Sequence, residues 1–283
     1  MTSKVTLRRQ ELASSLSVEL RRSSGCRHSD PESYLSSDRN RNFSGVGGKI
    51  ASKLFSHYPE IVFGFSTKKD GDMSWKEGSS KTRKNRELFF KKLGINPENV
   101  ISMYQPHDNR MKIVSAKEKS KKIKGVDGLI TNKAEIFLQI TVADCIPIFL
   151  YDAKAGIIAI AHAGWKGTAK NVASKTVKGM EKIGSNPQDI IVFLGPSIKQ
   201  SCYDVSAERY ALFKKWGSQA VRVRNGKYFL DLPNIVISQL KKESILEKNL
   251  EVSPLCTSCN KDFYSHHRDK KIEGLMVGVI GRR

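Results

Sequence analysis

The chain has 283 residues, 39% hydrophobic and 27% charged, with a formal net charge of +21. That is enough apolar material for a buried core, while no apolar run reaches the roughly 18 to 20 residues of a membrane span, so a soluble globular protein is expected. The lysines are spread along the chain without an aromatic-flanked basic motif, which argues against a nucleic-acid partner, and an odd set of cysteines (Cys26, Cys145, Cys202, Cys256, Cys259) is no disulfide framework and fits the reducing cytoplasm.

Residues 1–49 are rich in Ser and Arg and hold no sustained hydrophobic period, so a disordered extension is expected. Arg8, Arg9, Arg21 and Arg22 among serines and leucines also fit an organelle transit peptide, and a start codon placed too far upstream is a third reading. From residue 50 to 283 the pattern is that of a single folded domain. Residues 61–66 form a short apolar run ending in a Lys- and Gly-rich turn. Residues 85–93 predict a helix with Leu88, Phe89 and Leu93 on one side and Gly94 as its stop. A strand over 101–105 leads into Pro106-His107. Strands over 136–142 and 146–151 are separated by the sharp turn Ala143-Asp144-Cys145. A strand over 157–162 runs into Ala163-Gly164-Trp165-Lys166-Gly167 and then a helix, whose apolar positions Val172, Ala173, Val177, Met180 and Ile183 recur at helical spacing up to Gly184. There follow a strand over 190–194, a helix near 207–216, a strand over 228–232, a helix opened by Pro233 and a last strand over 275–280. This irregular alternation predicts an α/β fold, a mixed β-sheet with flanking helices. The sequence holds no internal repeat and no dinucleotide or P-loop glycine fingerprint.

His107, Cys145 and His162 each fall where a predicted strand gives way to a turn, the place where side chains of α/β proteins project into a cleft. Two imidazoles and a thiol are zinc donors, and a catalytic zinc keeps a further position open for a reactant. Spacing leaves two other readings open: unconnected core residues, or Cys145 as a nucleophile with His162 or His107 as its base. Gly164 and Gly167 let backbone approach a ligand, Thr168 is the expected helix N-cap, and Lys166 adds a full charge. That combination suits an anion such as phosphate, or simply a tight turn. Cys256 and Cys259 form a CxxC whose neighbours His266 and His267 lack finger spacing, so no second metal site or thioredoxin-like site is expected.

Several segments together carry a resemblance: Gly64-Phe65-Ser66-Thr67-Lys68, Gln105-Pro106-His107, Thr141-Val142-Ala143-Asp144-Cys145-Ile146-Pro147, Ala161-His162-Ala163-Gly164-Trp165-Lys166-Gly167, Leu194-Gly195-Pro196-Ser197-Ile198 and Phe263-Tyr264-Ser265-His266-His267-Arg268-Asp269. Over roughly residues 60–280 the chain resembles the laccase-domain, or YfiH-type, family of purine nucleoside enzymes. The resemblance implies that His107, Cys145 and His162 are zinc ligands. It implies that purine nucleosides and phosphate are the reactants, with adenosine, inosine, guanosine and methylthioadenosine phosphorolysed and adenosine deaminated. It also implies a fold similar to the cysteine hydrolases of cytotoxic-necrotising-factor type. That keeps an amidase or cysteine hydrolase editing peptidoglycan precursors as an alternative, with Cys145 as its nucleophile. A copper-dependent polyphenol oxidase is the family's older label, but a chain with six His, two of them in the ligand set, is poor in the clusters that multicopper chemistry needs. By position, Asp144 is expected to carry a proton, and Lys68, Lys166 and Arg268 to hold phosphate. Arg268 pairing with Asp269 is the competing reading. Lys68 and His267 stand where the family commonly has Arg, and Lys68 loses the guanidinium fork suited to phosphate. The rival from another class is a nucleoside-binding protein without turnover.

Overall fold

Successive side chains of a strand point to opposite faces, so a run that is apolar at nearly every position needs cover on both sides. In the computed structural model, which describes residues 50–75, 79–271 and 273–283, the central runs find that cover in two stacked sheets. The expectations for residues 1–49 lie outside the described residues.

In chain order the first half holds β1 (Ile61–Phe65), α1 (Ser80–Lys92), β2 (Val100–Tyr104), β3 (Met111–Ile113), β4 (Lys122–Lys124), β5 (Gly128–Thr131), β6 (Ile136–Val142), β7 (Ile146–Asp152) and β8 (Ile157–Ala163). The second half holds α2 (Trp165–Ala169), α3 (Val172–Glu181), β9 (Ile190–Leu194), β10 (Asp204–Val205), α4 (Ala207–Phe213), β11 (Val221–Arg224), β12 (Lys227–Leu230), α5 (Leu232–Lys242), β13 (Leu250–Val252), α6 (His266–Asp269) and β14 (Met276–Arg282). One sheet has the order β1-β14-β6-β2-β4, a second β13-β9-β7-β8-β5-β3, and a small third β10-β12-β11. The two large sheets are mixed: β2 runs parallel to β4 and β6, and β14 antiparallel to β1 and β6. In the other sheet β7 and β8 are antiparallel, whereas β3–β5 and β9–β13 are parallel pairs.

The period of two separates the core into layers. Ile158 and Ile160 of β8, Phe149 of β7 and Phe193 of β9 meet Ile101, Leu138 and Ile140 between the sheets. Their neighbours Ile157, Ala159, Ile148, Leu150 and Val192 face outward onto Val172, Val177 and Met180 of α3 and Ile235, Val236 and Leu240 of α5. On the far side, Phe89 and Phe90 of α1 cover Phe137, Val277 and Val279. The expected mixed sheet with flanking helices is therefore two mixed sheets, with helices on their outer faces. The reason is the turn at Ala143-Asp144-Cys145. It carries the chain from one sheet into the other, so β6 and β7 are consecutive without pairing.

Most expected elements fall within a residue or two of the observed ones. The helix expected from residue 85 starts earlier, because the Ser79 hydroxyl caps it by accepting the Thr82 N–H. The helix expected after Gly167 is two helices, α2 and α3, broken at Asn171, which has a φ of 60°. Gly164, not Thr168, is the N-cap of α2, and Thr168 lies inside that short helix with its N–H donating to the Gly164 carbonyl.

A candidate metal centre

Cys145 sits at the corner between the sheets, reached through Asp144 at a φ of 77°. His162 lies near the end of β8, at a position pointing between the sheets. His107 follows β2, at a φ of 62°. The connection to it is braced by Gln105, whose side chain donates to the Thr141 carbonyl at 2.8 Å and accepts the Thr141 N–H at 3.0 Å. One ligand atom from each of His107, Cys145 and His162 lies within 4.8 Å of the others, so the structure brings together the three residues singled out by the sequence. The Cys145 Sγ is 4.0 Å from His107 Nε2, and the two imidazoles meet edge to face at 4.6 Å.

A buried imidazole needs a partner. The antiparallel register of β5 and β8 supplies one by setting Asp127, just before β5, opposite His162. The His162 N–H donates to the Asp127 carbonyl, and His162 Nδ1 lies 2.8 Å from Asp127 Oδ1. With Nδ1 donating to this carboxylate, Nε2 is left to face the centre, an arrangement typical of metal-ligating histidines. The Asp127 carboxylate also accepts the backbone N–H groups of His107 at 3.1 Å and Asp108 at 2.6 Å. One fully buried acid thus positions two of the three donors. Sequence reasoning missed it; the available signal was an Asp immediately ahead of a short apolar run.

The electrostatics suit a cation. Burial pushes the Cys145 thiol up, but the charge of His162 and the hydrogen bonds of both imidazoles outweigh it and bring the thiol down to about 6. Burial opposes a charge on His162 as well, yet the neighbouring Cys145 and Asp127 raise it to about 9. The donor set is thus a polarised thiolate with two imidazoles, which fits a borderline-soft divalent ion. Gly164 completes the enclosure. A Cβ there would lie 2.9 Å from both Cys145 Sγ and His107 Cδ2, so the glycine is needed for close approach to the donors.

The remaining nominated residues are placed differently. The Asp144 carboxylate accepts the Thr257 hydroxyl at 2.6 Å and the His267 N–H at 2.8 Å, which makes it an anchor for the C-terminal loop and α6. Arg268 forms a two-pronged pair with Asp269, at 2.7 and 2.8 Å, and donates to the carbonyls of Thr257, Ser258 and Phe263. Its donors are engaged by the protein, as the ion-pair reading of Arg268 expects. Lys68 reaches over the Tyr264 ring at 5.2 Å and lines a recess with Lys69, Asp70 and Asn85 that none of the three donors lines. Lys166 is exposed at the start of α2, its Nζ 5.5 Å from the Trp165 ring. The CxxC does not turn to His266 or His267. Instead the sulfurs of Cys202, Cys256 and Cys259 lie within 4.8 Å of one another. The Cys202 hydrogen bond, together with backbone N–H groups, outweighs burial and lowers the Cys256 thiol from its ordinary value. Cys202 is distant in sequence, so spacing could not reveal the grouping.

These features define an α/β protein with a His–Cys–His centre that could hold a metal ion. Comparison with known proteins sharpens the class. A family model described as "Multi-copper polyphenol oxidoreductase laccase" matches residues 66–283. The chain is 34% identical over 250 residues to "Purine nucleoside phosphorylase YlmD" of Bacillus subtilis (strain 168), covering 79% of this chain and 89% of that protein. It is 32% identical over 189 residues to "Adenosine deaminase RL5" of an unknown prokaryotic organism, covering 62% of this chain and 72% of that protein. The crystal structure of YlmD from Geobacillus stearothermophilus superposes with a TM-score of 0.77 at 29% identity, covering 83% of this chain and 95% of that one. The chain belongs to this laccase-like, YfiH-type family. Among the described residues, no helix is long and apolar enough to cross a membrane.

Proposed function

We propose that the protein is a zinc-dependent purine nucleoside phosphorylase that also deaminates adenosine, with adenosine, inosine, guanosine and methylthioadenosine as substrates. The observation that carries this reading is the convergence of His107, Cys145 and His162, with Asp127 behind them and no fourth donor in the group among the described residues. The names of the relatives, phosphorylases and a deaminase, supply the reaction class. Zinc is favoured over copper because multicopper oxidation needs additional His-rich clusters, and among the described residues the other group of neighbouring donors is made of cysteines alone, of which Cys259 is disulfide-bonded.

When bound, zinc would supply a Lewis-acid centre that polarises a reactant and ionises water near neutral pH. The chain's own residues do the rest. Asp127 fixes the His162 ring and the His107 backbone, and Cys145 contributes a thiolate donor, while Lys166, exposed two residues after Gly164, adds positive charge for an anionic co-substrate. In phosphorolysis, a phosphate oxygen forms a bond to C1′ of the ribose as the bond to the purine nitrogen breaks. In deamination, water adds at C6 of adenosine and ammonia leaves. Purified protein is expected to hold about one zinc per chain, lost in Cys145→Ala, and to convert inosine plus phosphate to hypoxanthine and ribose 1-phosphate. Metal assay and chromatography check both. Full zinc occupancy in Cys145→Ala, or no phosphate-dependent product from any purine nucleoside, would reject the reading. A nucleoside-binding protein without turnover would give ligand binding and no product.

A second reading is favoured by one observation, the lowered Cys145 thiol beside a raised His162, which resembles the ion pair of a cysteine hydrolase. In metal-free protein the thiolate is held above pH about 6 and is lost as pH falls through that value, because the folded state favours the charged sulfur. Iodoacetamide alkylation of Cys145 is therefore expected to rise through pH about 6 rather than near 8.5, the ordinary thiol value. Added zinc should protect the thiol if it is a ligand. Amidase activity that survives metal removal and dies on alkylation would instead establish the hydrolase.

A further inference from the structure

A circuit of contacts runs around one side of the centre. Asp144, next to Cys145, accepts the His267 N–H, and the His267 ring meets Tyr203 edge-on at 5.7 Å. The Tyr203 hydroxyl accepts from Arg209 Nη1 at 3.4 Å, and the Arg209 guanidinium lies over the Trp165 ring at 4.4 Å. Trp165 follows Gly164, which packs against Cys145 Sγ and His107. The circuit closes where it began.

Arg209 is the unsatisfied member of this circuit. A guanidinium carries five N–H donors, and its side chain has one protein acceptor, the Tyr203 hydroxyl, and no carboxylate partner among the described residues. Half-buried and stacked on an indole, it is held in one orientation with donors to spare. Lys166 reaches the same indole at 5.5 Å, again with no carboxylate partner among the described residues. Two cations gathered on one ring without a protein anion repel each other, and an anion from solution relieves that repulsion. The Tyr203 phenol, raised mainly by burial, also feels the charges of Cys145 and Asp144, which places this wall within electrostatic reach of the donors.

We propose that Arg209, assisted by Lys166, is the seat of inorganic phosphate beside the His107–Cys145–His162 centre. The role of the seat as a co-substrate site rests on the phosphorylase reading above. Arg209 thereby takes the place that sequence position had given to Arg268. The guanidinium fork grips two phosphate oxygens, and the Trp165 face keeps the fork in plane.

The test uses the zinc-loaded full chain, with inorganic phosphate as the probe in calorimetric titration and in inosine turnover. Arg209→Gln is expected to weaken phosphate binding and raise the phosphate KM by about tenfold to a hundredfold, with a smaller change in the nucleoside KM. Arg209→Lys should fall between, since it keeps the charge and loses the fork. Lys166→Gln should shift phosphate in the same direction by less. Wild-type phosphate affinity and KM in Arg209→Gln would overturn the proposal. If that variant fails to fold, wild-type values in both Arg209→Lys and Lys166→Gln would do so. Phosphate binding that depends on Arg209 in a wild-type protein that phosphorolyses no purine nucleoside would leave the anion seat standing and reject the phosphorylase reading. Turnover indifferent to the Arg209 substitutions would do the reverse, and a wild-type chain that neither binds phosphate nor turns over rejects both.

Discussion

Asp127→Ala is expected to weaken zinc affinity by about tenfold to a hundredfold and to destabilise the metal-free fold by about 3–5 kcal/mol. The size follows from what one carboxylate does. It is fully buried, holds His162 Nδ1 at 2.8 Å and receives the N–H groups of His107 and Asp108. Its removal frees the imidazole ring to turn and takes the shared acceptor from two backbone N–H groups. Asp127→Asn separates the two effects. It keeps the volume and one acceptor oxygen, but places an amide NH2 against a group that itself donates, so the metal loss should persist with a smaller cost to stability. Chelator competition and denaturant titration of the metal-free form would measure them, and an Asp127→Ala protein with wild-type zinc affinity would remove Asp127 from the account of the centre.

Gly164→Ala should act through space alone. The φ of −78° and ψ of 173° at this position suit an alanine, so the backbone conformation is not the obstacle. The added methyl would lie 2.9 Å from Cys145 Sγ and from His107 Cδ2, closer than carbon and its neighbours tolerate. Either the two donors rotate or the glycine segment backs away, and both separate atoms that must converge on a single ion. A displacement of about half an ångström is enough to spoil such a site. Zinc affinity is therefore expected to fall tenfold or more, with a much smaller change in the stability of the metal-free form. A variant that binds zinc as tightly as the parent would mean that the donors close on the ion from elsewhere.

The parts of this molecule that were legible in sequence are those in which one local pattern suffices. Residues 136–142, 146–152, 157–163 and 190–194 are mostly apolar runs, with a few polar breaks, because both faces are covered, and their bounds could be read almost to the residue. His107, Cys145 and His162 were legible as strand-end donors. What escaped depends on contacts between distant residues. Neither Asp127, opposite His162 through strand register, nor Cys202, beside Cys256 and Cys259, is marked by spacing. The stacking of two sheets was hidden for the same reason, because nothing local in Ala143-Asp144-Cys145 says that the next strand joins a different sheet. One local signal was present and passed over. Val221–Arg224 alternates apolar and basic residues and leads through Asn225-Gly226, at φ 50° and 70°, into β12, the sequence of a tight hairpin. Arg268 was legible in part: its pairing with the adjacent Asp269 could be named from sequence, while the carbonyls that take its other donors depend on the fold.

The three donors do not come from one slab of the fold. His107 trails a strand of the first sheet, His162 belongs to the second, and Cys145 stands at the hinge where the chain changes slabs. An ion gripped by all three is a rivet through the seam, and its binding energy adds to the cohesion of the native state. Catalytic competence and mechanical integrity then share the same fastener, so withdrawing it should loosen the molecule as well as silence it.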